Sequence, residues 1–256
     1  MMSIPNGFIP SLPLTIPTTL VKTDHPPSDL FVILAIAHKD FIWANHHYQQ
    51  GQFPEALAKF EAALNYYTQA QETTGMGQSL NGLSAVYLSL GQPERSLICS
   101  QAAAAILEDT EAKYDYAIAL YQLGLSHFEL QHIAQAERSF EYALKQFYHL
   151  TAIDYENRIL IDLGRIYAQQ HKFLFALACY ESVLDSLIVN PFLENRRETL
   201  SAVVQAVAQL SQHEKLGKGA ISAFQSVLEE YSLAAYHLQV ASHLQPSQQP
   251  LPMRTE

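Results

Sequence analysis

Apolar residues through most of the chain recur at the spacing of amphipathic helices, and the pattern repeats at a fixed offset of 40 residues. Each unit contains two segments with apolar side chains at i, i+3, i+4 and i+7, which is the spacing of one helix face. A short turn separates the two segments, and it contains Gly51 in one unit and Gly91 in the next. The alternating pattern typical of strands is absent. The sequence therefore predicts helical hairpins.

Four units share one register. Their turns and the starts of their second helices align without gaps at Gly51–Leu57, Gly91–Leu97, Gln131–Glu137 and His171–Leu177. Small residues recur upstream of each turn, at Ala44, Ser84, Gly124 and Gly164. A small residue lets two helix backbones approach, and a large side chain of the other helix then fills the space. Because one hairpin cannot bury its apolar face alone, the units are predicted to stack.

The residues that carry this pattern follow a recognisable order. In the first unit, Trp43 and Ala44 place a large residue beside a small one, and the second helix has Ala56, Phe60 and Ala63. This order resembles the tetratricopeptide repeat, in a form longer than the common unit of about 34 residues and similar to a bacterial variant with lengthened helices. The resemblance implies an all-α fold, a right-handed α-solenoid of stacked helix-turn-helix repeats. The second unit departs from the pattern because Ser96 and Ser100 replace an Ala and an aromatic residue.

Proline and apolar periodicity together predict the domain boundaries. The segment 1–28 contains six prolines and is expected to be a flexible tail. The solenoid is predicted over 29–244 and a second flexible tail over 245–256. Repeats are placed at about 37–72, 77–110, 117–150 and 157–190, followed by a degenerate fifth repeat and cap over 192–244. Leu200, Val203, Val204 and Val207 are expected in the first helix of the fifth repeat, with Ala220, Phe224, Val227 and Leu228 in its second helix.

The resemblance also implies a binding surface, because tetratricopeptide solenoids bind a peptide or helix in a concave groove lined by the first helix of each hairpin. Carried over position by position, the groove residues form an aromatic and aliphatic stripe that passes into a charged set near the fourth repeat. They are Phe41, Asn45, Tyr48, Asn81, Tyr121, Leu125, Phe128, Arg158, Asp162 and Arg165. An amphipathic helix, or an apolar peptide with an acidic end, would match this surface.

Some members of the family hold a partner's terminal carboxylate with a clamp of Lys and Asn residues. Asn45 and Asn81 stand where the two clamp asparagines are expected. Phe41, however, occupies the position of a clamp lysine, and Ile118 and Gln122 occupy further basic positions. Without those cations a carboxylate would be poorly compensated. The sequence therefore disfavours a carboxylate clamp.

Composition limits the classes of molecule that we expect as partners, and the cellular location. The formal charge of −10, with no cluster of Lys and Arg, disfavours nucleic acid. The apolar run Leu30–Ala37 is far shorter than the roughly 20 residues of a membrane span. No secretory leader is indicated. Two cysteines without a C-x-x-C spacing favour a reducing, cytoplasmic location.

Few residues of the sequence are candidates for metal binding, disulfide formation or catalysis. His46 and His47 are adjacent, so on a helix they point about 100° apart and do not form one metal site with His38. Cys99 and Cys179 occupy equivalent positions two units apart, too distant for a disulfide. Nucleotide-binding, nucleophile-elbow and zinc-protease motifs are absent. We therefore expect no enzyme activity, no metal and no cofactor.

These observations favour a scaffold or adaptor whose partner is another protein. An alternative is an assembly factor or chaperone for a membrane protein complex, similar to factors for photosystem assembly and docked peripherally at a membrane. A regulatory sensor of a peptide signal also stays open. Cell fractionation separates the first two, since a protein that never sediments with membranes would contradict the membrane role.

Overall fold

A computed structural model of the protein describes residues 27–190, 192, 193, 195–211 and 229. Over this part the chain is all-α, without strands. The helices in chain order are α1 Pro27–Gln49, α2 Phe53–Gln69, α3 Thr73–Ser89, α4 Pro93–Leu107, α5 Lys113–Glu129, α6 Ile133–His149, α7 Ile153–Gln169, α8 Phe173–Val189 and α9 Arg196–Ser211. Successive helices pack against each other as hairpins, which confirms the predicted repeat solenoid.

Helix length explains the period. From α2 to α8 the helices have 17 residues, except α4 with 15. Two 17-residue helices and two three-residue turns fill a unit of 40 residues. The first helices begin at Thr73, Lys113 and Ile153, four residues before the boundaries placed from the sequence pattern. The hairpins therefore have helices of nearly equal length.

The turns repeat at half the sequence period. Six of the turns each contain one residue with a positive φ. These residues are Gly51 (72°), Gln71 (55°), Gly91 (67°), Gln131 (59°), Thr151 (52°) and His171 (59°). The following N–H donates back to a carbonyl five residues earlier, as from Gln52 to His47 at 2.9 Å and from Gln92 to Tyr87 at 2.8 Å. This left-handed residue and its hydrogen bond end each helix sharply. Turns within and between hairpins are thus built alike, except the five-residue connection 108–112 between α4 and α5, where no residue has a positive φ.

Small residues sit where helices approach closely. A Cβ added at Gly124 would collide with the ring of Phe140, and one added at Gly164 would collide with the ring of Tyr180. Phe140 and Tyr180 are almost wholly buried in the second helices of the same hairpins. The packing predicted from the recurring small residues is therefore present in the third and fourth hairpins.

The second hairpin uses buried serines in place of that packing. The hydroxyl oxygen of Ser96 lies 2.7 Å from that of Ser84 and 2.8 Å from that of Ser126. All three side chains are fully buried. Since Ser84 lies in α3 and Ser126 in α5, the chain of hydroxyls joins the second hairpin to the third. It satisfies polar groups that the apolar core could not.

The two ends of the solenoid differ from its middle. Leu83 and Leu163 are buried, but Trp43 at the equivalent position of α1 is 46% exposed, since no described helix precedes α1. At the other end Leu200–Val207 lie in α9, and Val203 belongs to one buried apolar cluster with the α8 residues Leu184 and Leu187. The tail was predicted for 1–28, and α1 begins within it at Pro27; its residues 1–26 lie outside the described residues, as do the tail predicted for 245–256 and the second helix and cap predicted within 212–228 and 230–244. None of the described helices is long and apolar enough to cross a membrane.

Candidate functional site

The first helices of the hairpins converge on one surface, which we call the groove. Its α1 and α3 sides are joined where the hydroxyl oxygens of Tyr48 and Ser89 lie 3.4 Å apart. Its α5 and α7 sides are joined where the Tyr121 hydroxyl donates to Asp162 Oδ2 at 3.0 Å. Both contacts link residues 41 positions apart and so join one repeat to the next, although they lie at different positions along the first helices. Polar contacts therefore hold neighbouring first helices along the groove.

A cavity of about 240 Å³, the proximal cavity, lies at the N-terminal end of the groove. Side chains from α1, α3, α5 and α7 all line it. They are Phe41, Asn45, Tyr48, Gln78, Asn81, Gly82, Ala85, Asp115, Ile118, Gln122 and Tyr155, with Phe60 of α2 beneath them. Because residues of the first and fourth hairpins reach one cavity, the surface between them is concave.

A second cavity of about 440 Å³, the distal cavity, opens between α5, α7 and α9. It is lined by Phe128, Glu129, Arg165, Ala168, Gln169, His171, Tyr180, Ala206, Gln209 and Leu210. The exposed guanidinium of Arg165 lies 5.2 Å from the centre of the Phe128 ring, a cation–π contact. This end of the groove thus presents a positive charge beside an aromatic surface.

A buried carboxylate lies between the two cavities. Asp162 Oδ1 accepts a hydrogen bond from Arg165 Nη1 at 3.2 Å, and its Oδ2 accepts from Tyr121. Burial raises the pKa of Asp162, although the charge of Arg165 and both hydrogen bonds oppose the shift. Burial, followed by the charge of Asp162, raises the pKa of Tyr121 well above its usual range. The phenol therefore stays a neutral donor to the carboxylate.

The structure divides the ten predicted groove residues into two groups. Six line the cavities: Phe41, Asn45, Tyr48 and Asn81 the proximal one, and Phe128 and Arg165 the distal one. The other four lie outside both cavity linings. Leu125 packs against the core of the third hairpin, Arg158 is exposed with its guanidinium 5.5 Å from the Tyr155 ring centre, and Tyr121 and Asp162 bond each other.

The positions of the carboxylate clamp come together in the proximal cavity, but their chemistry is different. Asn45 donates to the Phe41 carbonyl at 3.0 Å, and Asn81 donates to the Asp115 carbonyl at 2.9 Å. Among the described residues, no Lys, Arg or His lines this cavity, while Asp115 brings a carboxylate to its wall. A bound carboxylate would meet a like charge there.

Sequence reasoning missed several lining residues, most importantly Gln78 and Asp115. The signal was present, since Asp115, Ile118 and Gln122 are spaced i, i+3 and i+7, and so share one face of α5. Gln78, Asn81 and Ala85 repeat that spacing on α3. Continuing each groove face one turn toward the helix N-terminus would have found both residues.

Outside the groove, the histidines and cysteines have local contacts. His47 Nδ1 lies 2.6 Å from Gln52 Oε1 at the turn between α1 and α2. The Nδ1 atoms of His127 and His132 lie 3.4 Å apart at the turn between α5 and α6. Cys99 is buried in α4, and Cys179 is half-buried in α8. In the described part of the chain, no group of three or more His, Cys, Asp or Glu side chains is placed to hold a metal.

Comparisons with known proteins agree with this architecture. Residues 35–109 match the family model of the tetratricopeptide repeat. A crystal structure of nearly identical TPR-like repeats from Podosopora anserina, assigned to a kinesin light chain, is 15% identical, with a TM-score of 0.60 over 84% of this chain and 100% of that one. A crystal structure of BtubC (BKLC) from P. vanneervenii is 15% identical, with a TM-score of 0.62 over 90% of this chain and 88% of that one. At these identities the likeness shows the fold alone. Comparison with the curated proteins gives no match.

Proposed function

Because the chain is a tetratricopeptide repeat protein, we propose that it is an adaptor that binds a peptide or amphipathic helix of a partner protein along the groove. The observation that supports this most is the proximal cavity, where side chains of four first helices meet around one concave space. Such a cavity can take a side chain of a partner segment lying across the helices.

The groove has different chemistry at its two ends. The proximal cavity has aromatic walls and polar acceptors, whereas the distal cavity carries the exposed guanidinium of Arg165; the guanidinium of Arg158 lies over the ring of Tyr155, which lines the proximal cavity. A guanidinium beside an aromatic surface suits a partner carboxylate. We therefore propose that the partner segment lies with its acidic end toward α7 and α9.

A photo-crosslinking experiment tests the groove. The photoreactive residue p-benzoylphenylalanine would replace Ala85, which lines the proximal cavity, or Ala134, which is exposed on α6. Crosslinking in cells of the source organism should capture one partner from position 85 and not from position 134. Equal crosslinking from the two positions would contradict binding in the groove.

Affinity measurements on the captured partner complete the test. Ala85→Trp would fill the proximal cavity, and Arg165→Ala would remove the distal charge, so each should weaken binding by about tenfold, which corresponds to about 1.4 kcal/mol. Ala134→Trp is the matched control and should leave the affinity unchanged. An unchanged affinity for both groove variants, with native circular dichroism, would refute the proposal.

One surface favours the alternative role of an assembly factor at a membrane. Phe31, Val32, Ile42 and Trp43 share a face of α1 and are exposed, Phe31 by 75%. An apolar stripe of this kind suits contact with a membrane complex. Fractionation of cells distinguishes the two roles. As an adaptor, which we place in the cytoplasm, the protein should remain in the supernatant. As an assembly factor it should sediment with membranes, and a variant with Phe31→Ser and Trp43→Ser should not.

A further inference from the structure

The wall of the proximal cavity has one carboxylate and two amide oxygens without a hydrogen-bond partner, and we infer that the cavity holds the ammonium group of a lysine side chain from the partner. This inference rests on the proposed groove and adds the chemistry of one contact. It reverses the charge preference of a carboxylate clamp at the same positions of the fold.

Three of the amides around the cavity already donate one N–H to the protein. Asn81 Nδ2 donates to the Asp115 carbonyl at 2.9 Å, and Gln78 Nε2 donates to Asp115 Oδ2 at 2.9 Å. A carbonyl and a carboxylate can only accept, which fixes the orientation of both amide groups. Asn45 Nδ2 is fixed in the same way by the Phe41 carbonyl. The nitrogen of each of these amides therefore faces its protein acceptor, although each amide keeps a second N–H.

Two of the acceptors are left without partners. Asn81 is only 6% exposed, and its Oδ1 has no hydrogen bond. The buried Oε1 of Gln122 has none either. A buried acceptor without a partner is unfavourable, and a ligand that donates to it removes that penalty. Both oxygens are closed to water, so a ligand reaches them by shifting the two side chains; with the half-buried carboxylate of Asp115, the cavity wall then has three acceptor groups.

The charge and the walls of the cavity favour a cation. Within the described residues Asp115 is the only charged side chain that lines it. The rings of Phe41 and Phe60 also line the cavity, and aromatic faces attract cations. The Tyr155 ring is already in contact with the Arg158 guanidinium, 5.5 Å from its centre, so it adds an apolar surface only. A carboxylate would instead face Asp115, with no Lys or Arg among the described lining residues.

Lysine fits these features better than arginine. An ammonium has three donors, which equals the number of acceptor groups, and its aliphatic stem would lie against the apolar wall. A guanidinium brings five donors in a rigid plane. The volume of about 240 Å³ is smaller than that of pockets for drug-sized ligands, which start at roughly 300 Å³, and suits one long side chain.

A titration of the full chain with lysine side-chain mimics tests the inference without any partner. The probes are n-butylammonium, n-butylguanidinium, butyrate and 1-butanol, and the readout is the side-chain amide NMR signals of Asn81 and Gln122. We expect saturable shifts with butylammonium at millimolar concentration and at least fivefold weaker binding of the other three. Butyrate or butanol binding as tightly as butylammonium would overturn the inference, and tighter binding of butylguanidinium would overturn the choice of lysine.

Matched variants distinguish binding at this site from attraction of a cation by the general negative charge of the chain. Asp115→Asn keeps an acceptor for Gln78 and removes the charge, so it should weaken butylammonium binding about tenfold. Glu94→Gln makes the same change on the exposed side of α4 and should have no effect. Equal effects of the two variants would show attraction by net charge and refute the site.

A gain of function gives a second test. Gln122→Lys replaces an acceptor with a cation at a position where a clamp carries a basic residue, and should abolish butylammonium binding while allowing butyrate to bind. Retained butylammonium binding would refute the inference. Because the titrations need no partner, their failure would leave the groove proposal standing, whereas failure of Ala85→Trp to weaken partner binding would refute the groove alone.

Discussion

Tyr121 and Asp162 lie on neighbouring first helices, 41 positions apart, and the phenol of one donates to the carboxylate of the other at 3.0 Å. Asp162 is buried and has one further donor, Arg165 Nη1 at 3.2 Å. The pair thus joins the third hairpin to the fourth through a charge that burial disfavours. This contact orders the groove between its two cavities.

Removal of the Tyr121 hydroxyl should destabilise the chain. In Tyr121→Phe the buried carboxylate loses a donor, and a hydrogen bond to a charged group contributes about 1.5–3 kcal/mol. Urea denaturation followed by circular dichroism measures the loss. Tyr142→Phe, at an exposed position of α6, is the control and should change stability by less than about 0.5 kcal/mol. Equal stability of the two variants would contradict a structural role for the pair.

The charge of Asp162 should make stability depend on pH. Its pKa is raised in the folded state, so the folded protein holds this proton more tightly than the unfolded chain. Acidification through this range therefore favours folding at this site, and stability falls as the pH rises through the folded pKa. Asp162→Asn removes the titration and keeps an acceptor. We expect wild type to gain stability relative to Asp162→Asn between pH 7 and pH 4; a loss over that interval would mean that the pKa is lowered.

Much of the fold follows from the sequence because the repeat keeps its length. The 40-residue offset predicted the hairpins, the turn at Gly51 and Gly91, and the close approach at Gly124 and Gly164. The half-period of 20 residues was missed. Gln71 and Thr151, in turns between hairpins, adopt the same left-handed conformation as Gly51 and Gly91, and residue type alone did not reveal it.

That conformation gives a stability prediction at Thr151. Its φ of 52° is unfavourable for a β-branched residue. A left-handed non-glycine residue costs roughly 1–2 kcal/mol, and the added flexibility of glycine in the unfolded chain offsets roughly 0.5–1 kcal/mol of the gain. Thr151→Gly should therefore stabilise the chain by about 0.5–1 kcal/mol in urea denaturation. Gly91→Ala reverses the change and should destabilise by a similar amount; the same sign for both variants would contradict the turn geometry.

The groove was harder to predict than the fold, because its residues also pack. Asn81, Phe128 and Asp162 lie on the helix face that the repeat pattern assigns to the groove, yet all three are buried. The hydrogen bonds of Asn81 and Asp162 depend on neighbouring first helices, which periodicity within one helix does not reveal. Position in the repeat identified the surface, whereas contacts between repeats decide what that surface offers a ligand.

Because α5 and α6 approach closely, we expect the effects of substitutions at Gly124 and Phe140 on stability to be coupled. Gly124→Ala would place a methyl group against the Phe140 ring. Overpacking costs about 1–3 kcal/mol, and the better helix propensity of alanine returns up to about 1 kcal/mol. We expect a net loss of about 1–2 kcal/mol. In a Phe140→Leu background the same substitution should cost less, and a double-mutant cycle measures the difference; additive effects would contradict the contact.

The two thiols should react slowly and in a fixed order. Burial raises the pKa of Cys99 to about 12 and that of Cys179 to about 11. Only the thiolate reacts with a disulfide reagent such as dithionitrobenzoate. At pH 8 about one Cys179 thiol in a thousand would be ionised, and about one Cys99 thiol in ten thousand, against a sizeable fraction for an ordinary cysteine. Each rate should rise about tenfold per pH unit between pH 7 and pH 9.

Single-cysteine variants show which reaction rate belongs to which thiol. Cys99→Ala leaves the half-buried thiol of Cys179 and should give the faster native reaction, while Cys179→Ala leaves the buried thiol of Cys99 and the slower one. In concentrated urea both variants should react at the same fast rate, because unfolding removes the burial that raises each pKa. Fast native reaction of Cys99 at pH 8, comparable with its rate in urea, would mean that the packing around α4 opens readily, contrary to the tight core formed there by Phe60, Leu83 and Leu107.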